Sequence, residues 1–354
     1  MMVLDAEFFL REVANHYDQE LPFVLYKYPN ETKVSGLLQS SKTLHKLDHM
    51  EQQGFIMVPF VTKDKAVIIP KDISKEIQCE LSAVSNGYSV KELLLEYPEK
   101  QRHLHLVNKG VQAIENGEFQ KVVLSREQHI PLPDLDCIAL YKNLVLRYPD
   151  AFCYLWYHPK VGLWMGASPE TLIEVKDQKI HTMALAATVA DQGQAKVVWG
   201  EKEKQEQAMV TVAILEALKD YCSAVEVSEV QTVKAAKLYH LRTKITARLT
   251  GDLGGLIEQL HPTPAVCGLP KLPALNFIQA NESYKRSYYT GYLGTINMDQ
   301  QAKLYVNLRC MQYLENELIL YVGGGITIDS IAEKEWEETV NKGKTILNVV
   351  TGTL

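Results

Sequence analysis

Residues 304–313 and 318–322 are two strand-like runs that flank Glu315-Asn316, and together they read as an antiparallel hairpin. This hairpin constrains the chain more than any other feature, because neighbouring parallel strands need long crossovers instead. The surrounding pattern agrees with it. Short strands are expected at 55–58, 66–69, 122–124, 152–157 and 163–175, and helices at about 5–16, 90–116 with a break near Pro98, 135–147 and 201–222, with a last helix at the C-terminus. Hairpins mixed with helices argue for an α+β fold rather than a doubly wound parallel sheet. No internal repeat or linker rich in Pro, Gly or Ser divides the 354 residues, so a single domain over 1–354 is expected.

Composition narrows the function. With 46% hydrophobic and 23% charged residues, the chain can bury a substantial core. A formal charge of -6 without a Lys/Arg block disfavours nucleic acid and anionic membranes as partners. A small molecule fits better. The N-terminal residues carry acids and an Arg among their apolar residues, and no stretch reaches membrane-spanning length, so neither a secretory leader nor a membrane span is expected. Cys79, Cys137, Cys153, Cys222, Cys267 and Cys310 have no metal or disulfide spacing and suit a reducing cytosol.

Several residues could carry chemistry. Gly323-Gly324-Gly325 leaves the hairpin, and Ser330 to Glu333 has the pattern of a capping box that starts the last helix. On that helix Glu335, Glu338 and Lys342 fall on one face, either as a solvated ion-paired surface or beside a ligand that the glycines let approach. Glu206 lies in line with the apolar stripe of Val210, Ala213, Ile214 and Ala217, whereas Glu203 lies off it. An inward carboxylate needs a cation, and Mg2+ held by one or two carboxylates and completed by water and substrate oxygens would supply one; helix-dipole stabilisation is the alternative. Lys121 leads into a β-branched strand as a candidate base or an edge-strand lysine. Glu170, after a turn between strands, is a candidate general acid or a turn residue. His103-Leu104-His105 has no companion ligand and reads as surface helix. The triple glycine lacks the pattern of a nucleotide-binding loop.

In order along the chain, the motifs 121–126, 166–170, 201–206, 240–243, 261–270, 289–294, 307–310, 323–326 and 335–342 resemble the chorismate-utilising family, which includes isochorismate, salicylate, anthranilate and aminodeoxychorismate synthases. The resemblance covers about residue 118 to the C-terminus, the first hundred residues matching loosely. It implies a layered sandwich of antiparallel sheets flanked by helices. It also implies that Lys121 activates water for addition at C2 of chorismate, while Glu170 protonates the departing C4 hydroxyl. Glu206 and Glu338 would hold Mg2+ with Glu335 in support; Arg309, Lys342 and the backbone near Gly323 would take substrate carboxylates. Thr188, His240, Ala265 and Tyr289 would line the pocket.

Three positions bear on the reaction within the family. Lys121 stands where anthranilate-forming members usually carry glutamine, which favours water over ammonia and needs no amidotransferase subunit. Ala186 stands where aminodeoxychorismate synthases place a lysine nucleophile, and Ala265 where salicylate-forming members tend to have threonine. The resemblance therefore implies an isomerase that stops at isochorismate, of either menaquinone or siderophore metabolism, and a monomer is expected because the sequence shows no dedicated association element. A salicylate synthase and a catalytically silent chorismate-binding subunit are the alternatives. Ala184 and Ala187 depart from the family's usual Pro and Gly, which puts a Cβ where the backbone favours glycine.

Overall fold

The strand Phe152–His158 shows how side-chain alternation builds the protein. Phe152, Tyr154 and Trp156 point into an aromatic layer shared with Phe55, Leu293 and Tyr305, whereas Cys153 and Leu155 point the opposite way, towards Phe9, Leu140 and Ile346. A strand apolar on both faces must be covered on both. In this computed structural model, which describes residues 2–61, 66–81, 98–190, 197–235 and 238–351, two ten-stranded sheets face each other across the aromatic layer and helices cover their outer faces.

The first sheet runs from edge to edge through Met2–Val3, Ser74–Glu80, Lys33–Gln39, Phe23–Lys27, Phe152–His158, Gly162–Ser168, Cys310–Leu314, Glu317–Ile326, Lys121–Pro131 and Gly268–Leu269. The second runs through Cys222–Val227, Leu238–Leu249, Lys179–Ala190, Thr171–Lys176, Gln301–Val306, Tyr292–Met298, Gly54–Val58, Val67–Pro70 and His45–Lys46, with Gln231–Ala235 also on Leu238–Leu249. Strands from the first hundred residues are thus built into both sheets. Pairing is antiparallel throughout the site region, and only the short edge strand Met2–Val3 pairs parallel among the described residues. Helices Ala6–Asp18, Cys137–Arg147 and Ala332–Thr351 pack on the first sheet, and Glu201–Leu218 and Leu253–Leu260 on the second. Lys100–Glu115 and Lys271–Asn281 cover the strand Lys121–Pro131. No described helix is long and apolar enough to cross a membrane.

The α+β layered sandwich is as expected, and several local readings are corrected. The run 304–313 is two strands in different sheets, Gln301–Val306 and Cys310–Leu314, because the chain turns through Arg309 at φ +49. The hairpin itself joins Cys310–Leu314 to Glu317–Ile326, with positive φ at both Glu315 (52) and Asn316 (64), as a tight turn matched to strand twist requires. The triple glycine does not leave that hairpin. It continues the strand Glu317–Ile326, with Gly323, Gly324 and Gly325 opposite Ser125, Leu124 and Val123. Ser330 does not cap the last helix by the expected box; its hydroxyl accepts from the Thr327 N–H at 3.1 Å. The expected 201–222 helix ends at Leu218, and Cys222–Val227 is a strand. Of the expected 90–116 helix, Lys100–Glu115 is present and 90–97 lies outside the described residues. His103 is buried against Trp336 rather than on the surface, because it shares the inward face with Leu106, Val107 and Gly110; His105 is exposed.

Candidate active site

Parity along the strand Lys121–Pro131 decides which residues reach the site. Val122 and Leu124 face the covering helices, so Lys121, Val123 and Ser125 face the other way. Lys121 is not on a bare edge: Gly268–Leu269 pairs with Val122 and Lys121, and Glu317–Ile326 lies on the other side. Its side chain is 1% exposed, and Nζ donates to Glu206 Oε1 at 2.6 Å. Glu206 reaches it from the helix Glu201–Leu218, whose Val210 and Ile214 are buried as the apolar stripe requires.

The glycines are needed here for close approach. A Cβ on Gly325 would stand 3.0 Å from Glu206 Oε1 and 3.1 Å from Lys121 Cε, and one on Gly323 would stand 3.0 Å from the Tyr289 hydroxyl. A Cβ on Gly324 would lie 3.6 Å from Glu335 Oε2 and 3.7 Å from Glu338 Oε1. Carboxylates from two helices therefore converge on one short stretch of backbone. Lys342 Nζ bonds Glu338 Oε1 at 2.6 Å and the Gly323 carbonyl at 3.0 Å, which closes the helix face expected for Glu335, Glu338 and Lys342.

A cavity of about 140 Å³ opens beside this stretch, and its walls include Glu170, Ala186, Glu206, His240, Ala265, Tyr289, Arg309, Gly323, Glu338 and Lys342. Lys121 and Glu335 lie behind the wall rather than in it. The Thr188 side chain lies outside the described residues. Glu170 is 3% exposed, and its carboxyl makes no hydrogen bond to a described residue. Burial pushes that carboxyl up to about 8, against the pull of Lys121, so it holds its proton at neutral pH. His240 Nδ1 bonds the Ala187 carbonyl at 2.9 Å, and burial together with Arg309 lowers the imidazole to about 3, leaving it neutral. The Arg309 guanidinium forms no ion pair among the described residues; burial is the main pull on it, downward, and the Glu338 charge partly offsets this. It is a cation kept available for an anion.

Among the described residues no group of three or more His, Cys, Asp or Glu side chains stands ready to hold a metal by itself. Magnesium needs less than that, since one or two carboxylates suffice when water and ligand oxygens complete the shell. Glu206 and Glu338, all-oxygen donors drawn to adjacent glycines, fit that requirement.

Two residues have a place in the site that the sequence reading did not assign them. Glu203 lines the cavity although it lies off the apolar stripe, being one turn before Glu206 on the helix end nearest the opening. Gln207 is 1% exposed and staples the helix to the strand Lys179–Ala190, its Oε1 accepting from the Ala186 N–H at 3.0 Å and its Nε2 donating to the Ala184 carbonyl at 3.1 Å and Thr243 Oγ1 at 2.9 Å. No spacing rule marks a glutamine for such a role. The expected cost at Ala187 is present: its φ is +57, at a break in the register between Ala186 and Val189.

Residues 28–348 match the family described as chorismate binding enzyme, so the likeness reaches well before the motif-bearing part that begins near residue 118. The chain is 33% identical over 248 residues to the salicylate biosynthesis isochorismate synthase of Pseudomonas aeruginosa, covering 67% of this chain and 52% of that protein. It is 32% identical over 261 residues to an isochorismate synthase of Escherichia coli, covering 70% of this chain and 59% of that protein. The matched part of the chain thus spans little more than half the length of these relatives. The solved structure of the menaquinone-specific isochorismate synthase from Escherichia coli superposes with a TM-score of 0.80 over 93% of this chain and 88% of that one at 23% identity, a likeness of fold.

Proposed function

The chain belongs to the family of chorismate binding enzymes, and we propose that within it this protein is an isochorismate synthase, a magnesium-dependent isomerase acting as a single chain. One observation carries the reading: a buried acid that keeps its proton to about pH 8 lines a cavity that also presents Arg309 and Lys342, and a buried lysine lies just behind its wall. Hydroxyl transposition needs that separation. Water must lose a proton as it adds at C2, and the C4 hydroxyl must gain one as it leaves, with the ring double bond shifting between them; one group cannot serve both carbons.

In this reading Lys121 takes the proton from water and Glu170 gives its proton to the leaving hydroxyl. Lys121 can take that proton only as the free amine, so the ammonium proton it donates to Glu206 must first pass to that carboxylate or to solvent. Arg309 and Lys342 receive the substrate's carboxylates, Arg309 with a planar fork suited to bidentate contact. Neutral His240 and Tyr289 line the pocket without adding charge. Glu206 and Glu338 would hold Mg2+, with Glu335 behind them, and the ion would supply positive charge for the ring carboxylate. Ala186 and Ala265 both line the cavity, which places no amine nucleophile and no threonine hydroxyl at those two points.

Incubating the purified chain with chorismate and Mg2+ and separating the products by chromatography tests the reading. Isochorismate alone is expected. Salicylate with pyruvate, or no turnover by the lone chain, would overturn it.

A further inference from the structure

Behind the cavity lies a second network of buried side chains that the mechanism above does not use. Arg286 and Glu282 form an ion pair in which each side chain is 2% exposed. All five guanidinium N–H groups are engaged: Nε and Nη2 with the two Glu282 oxygens at 2.8 and 2.6 Å, Nη1 with the Val266 carbonyl at 2.9 Å and Thr290 Oγ1 at 3.3 Å, and Nη2 also with the Val123 carbonyl at 2.6 Å. Glu282 Oε1 in turn accepts from the N–H and the hydroxyl of Ser125, both at 2.8 Å. The guanidinium lies over Phe60 at 4.5 Å.

The partners matter more than the pair. Val123, Val266 and Thr290 all line the cavity, and each comes from a different segment: the strand that carries Lys121, the turn that carries Ala265, and the turn that carries Tyr289. The first two are also joined by the pairing of Gly268–Leu269 with Lys121–Val122 and by the Val123 N–H bond to the Cys267 carbonyl at 2.8 Å, and Arg286 ties the turn carrying Tyr289 to both. Two carbonyls and a hydroxyl bound in one plane require a rigid, planar five-donor group, which lysine is not.

We propose that Arg286, oriented by Glu282, is a positioning residue that sets the Lys121 strand against the walls carrying Ala265 and Tyr289. This rests on chorismate being the substrate. The carboxylates Glu206 and Glu338 are carried by other elements, the helices Glu201–Leu218 and Ala332–Thr351, and make no bond to Arg286. The network therefore acts directly on the placement of the base and meets the cation site only through the Lys121–Glu206 bond. Misplacement of a reacting group by about 1 Å costs on the order of 100-fold in rate.

The test compares wild type, Arg286→Lys and Ser125→Ala for chorismate turnover, chorismate KM and Mg2+ affinity by calorimetry, each well below its own melting temperature. Arg286→Lys is expected to lower kcat at least about tenfold, with KM and the Mg2+ dissociation constant within about threefold of wild type. Ser125→Ala, which loosens Glu282 without stranding a charge, is expected to lower kcat about threefold. If Arg286→Lys does not fold, Ser125→Ala decides alone. Unchanged kcat in a folded variant, or a parallel weakening of KM and Mg2+ affinity, overturns the proposal. Wild-type protein inactive on chorismate overturns instead the function on which it rests.

Discussion

Glu170→Gln replaces a buried acid with a neutral amide of the same shape, and the structure sets how stability responds. In the unfolded chain this carboxyl ionises near 4.5, while burial in the folded protein holds the proton until about 8. Below the lower value both states are protonated, and the substitution changes little. Between the two values only the unfolded chain releases the proton, so wild type loses about 1.4 kcal/mol per pH unit relative to the variant. The difference reaches about 3 kcal/mol at pH 7 and levels off near 5 kcal/mol once the folded protein ionises too. Urea unfolding of both proteins at pH 5, 7 and 8.5 measures it. The variant should be the more stable protein, increasingly so with pH, while losing turnover. A gap that does not vary with pH would refute the buried, protonated state of Glu170. Wild-type turnover should fall about tenfold per unit above pH 8, as the acid form is lost.

Three further outcomes check the site. Lys121→Ala should abolish turnover while chorismate binding remains measurable by calorimetry, and Glu338→Gln should weaken Mg2+ binding about tenfold or more, read by titration without substrate. Gly325→Ala puts a methyl 3.0 Å from Glu206 Oε1 and 3.1 Å from Lys121 Cε; kcat/KM should fall about 100-fold with an unchanged circular dichroism spectrum. Ala187→Gly relieves a left-handed backbone at φ +57 and should stabilise the protein by about 1 kcal/mol, a rise of about 1 °C in Tm.

Much of the site is legible in the chain because its carriers are periodic. Glu335, Glu338 and Lys342 share a helix face by geometry alone, and Glu206 is aligned with Val210 and Ile214 on its own helix. The hairpin around Glu315-Asn316 is likewise local, since both residues tolerate the left-handed backbone that the turn demands. The alternation in Phe152–His158 requires cover on both faces, and so foreshadows a layered fold.

Other features depend on neighbours far away in the chain. Whether Lys121 is an edge lysine or an inward base turns on the two strands that flank it, Gly268–Leu269 and Glu317–Ile326, at separations of well over a hundred residues. The high proton affinity of Glu170 is a consequence of desolvation, which exists only once the sheets close over it. The role of the triple glycine changed for the same reason: its need for bare backbone comes from Lys121, Glu206 and Tyr289 pressing against it. His103, Gln207 and the Arg286–Glu282 pair are polar residues whose partners lie on other elements, and no local pattern distinguishes them from surface side chains. Local periodicity and turn chemistry thus determined which residues share a face, while burial and long-range pairing, which are properties of the closed sandwich, decided which of those faces became the site.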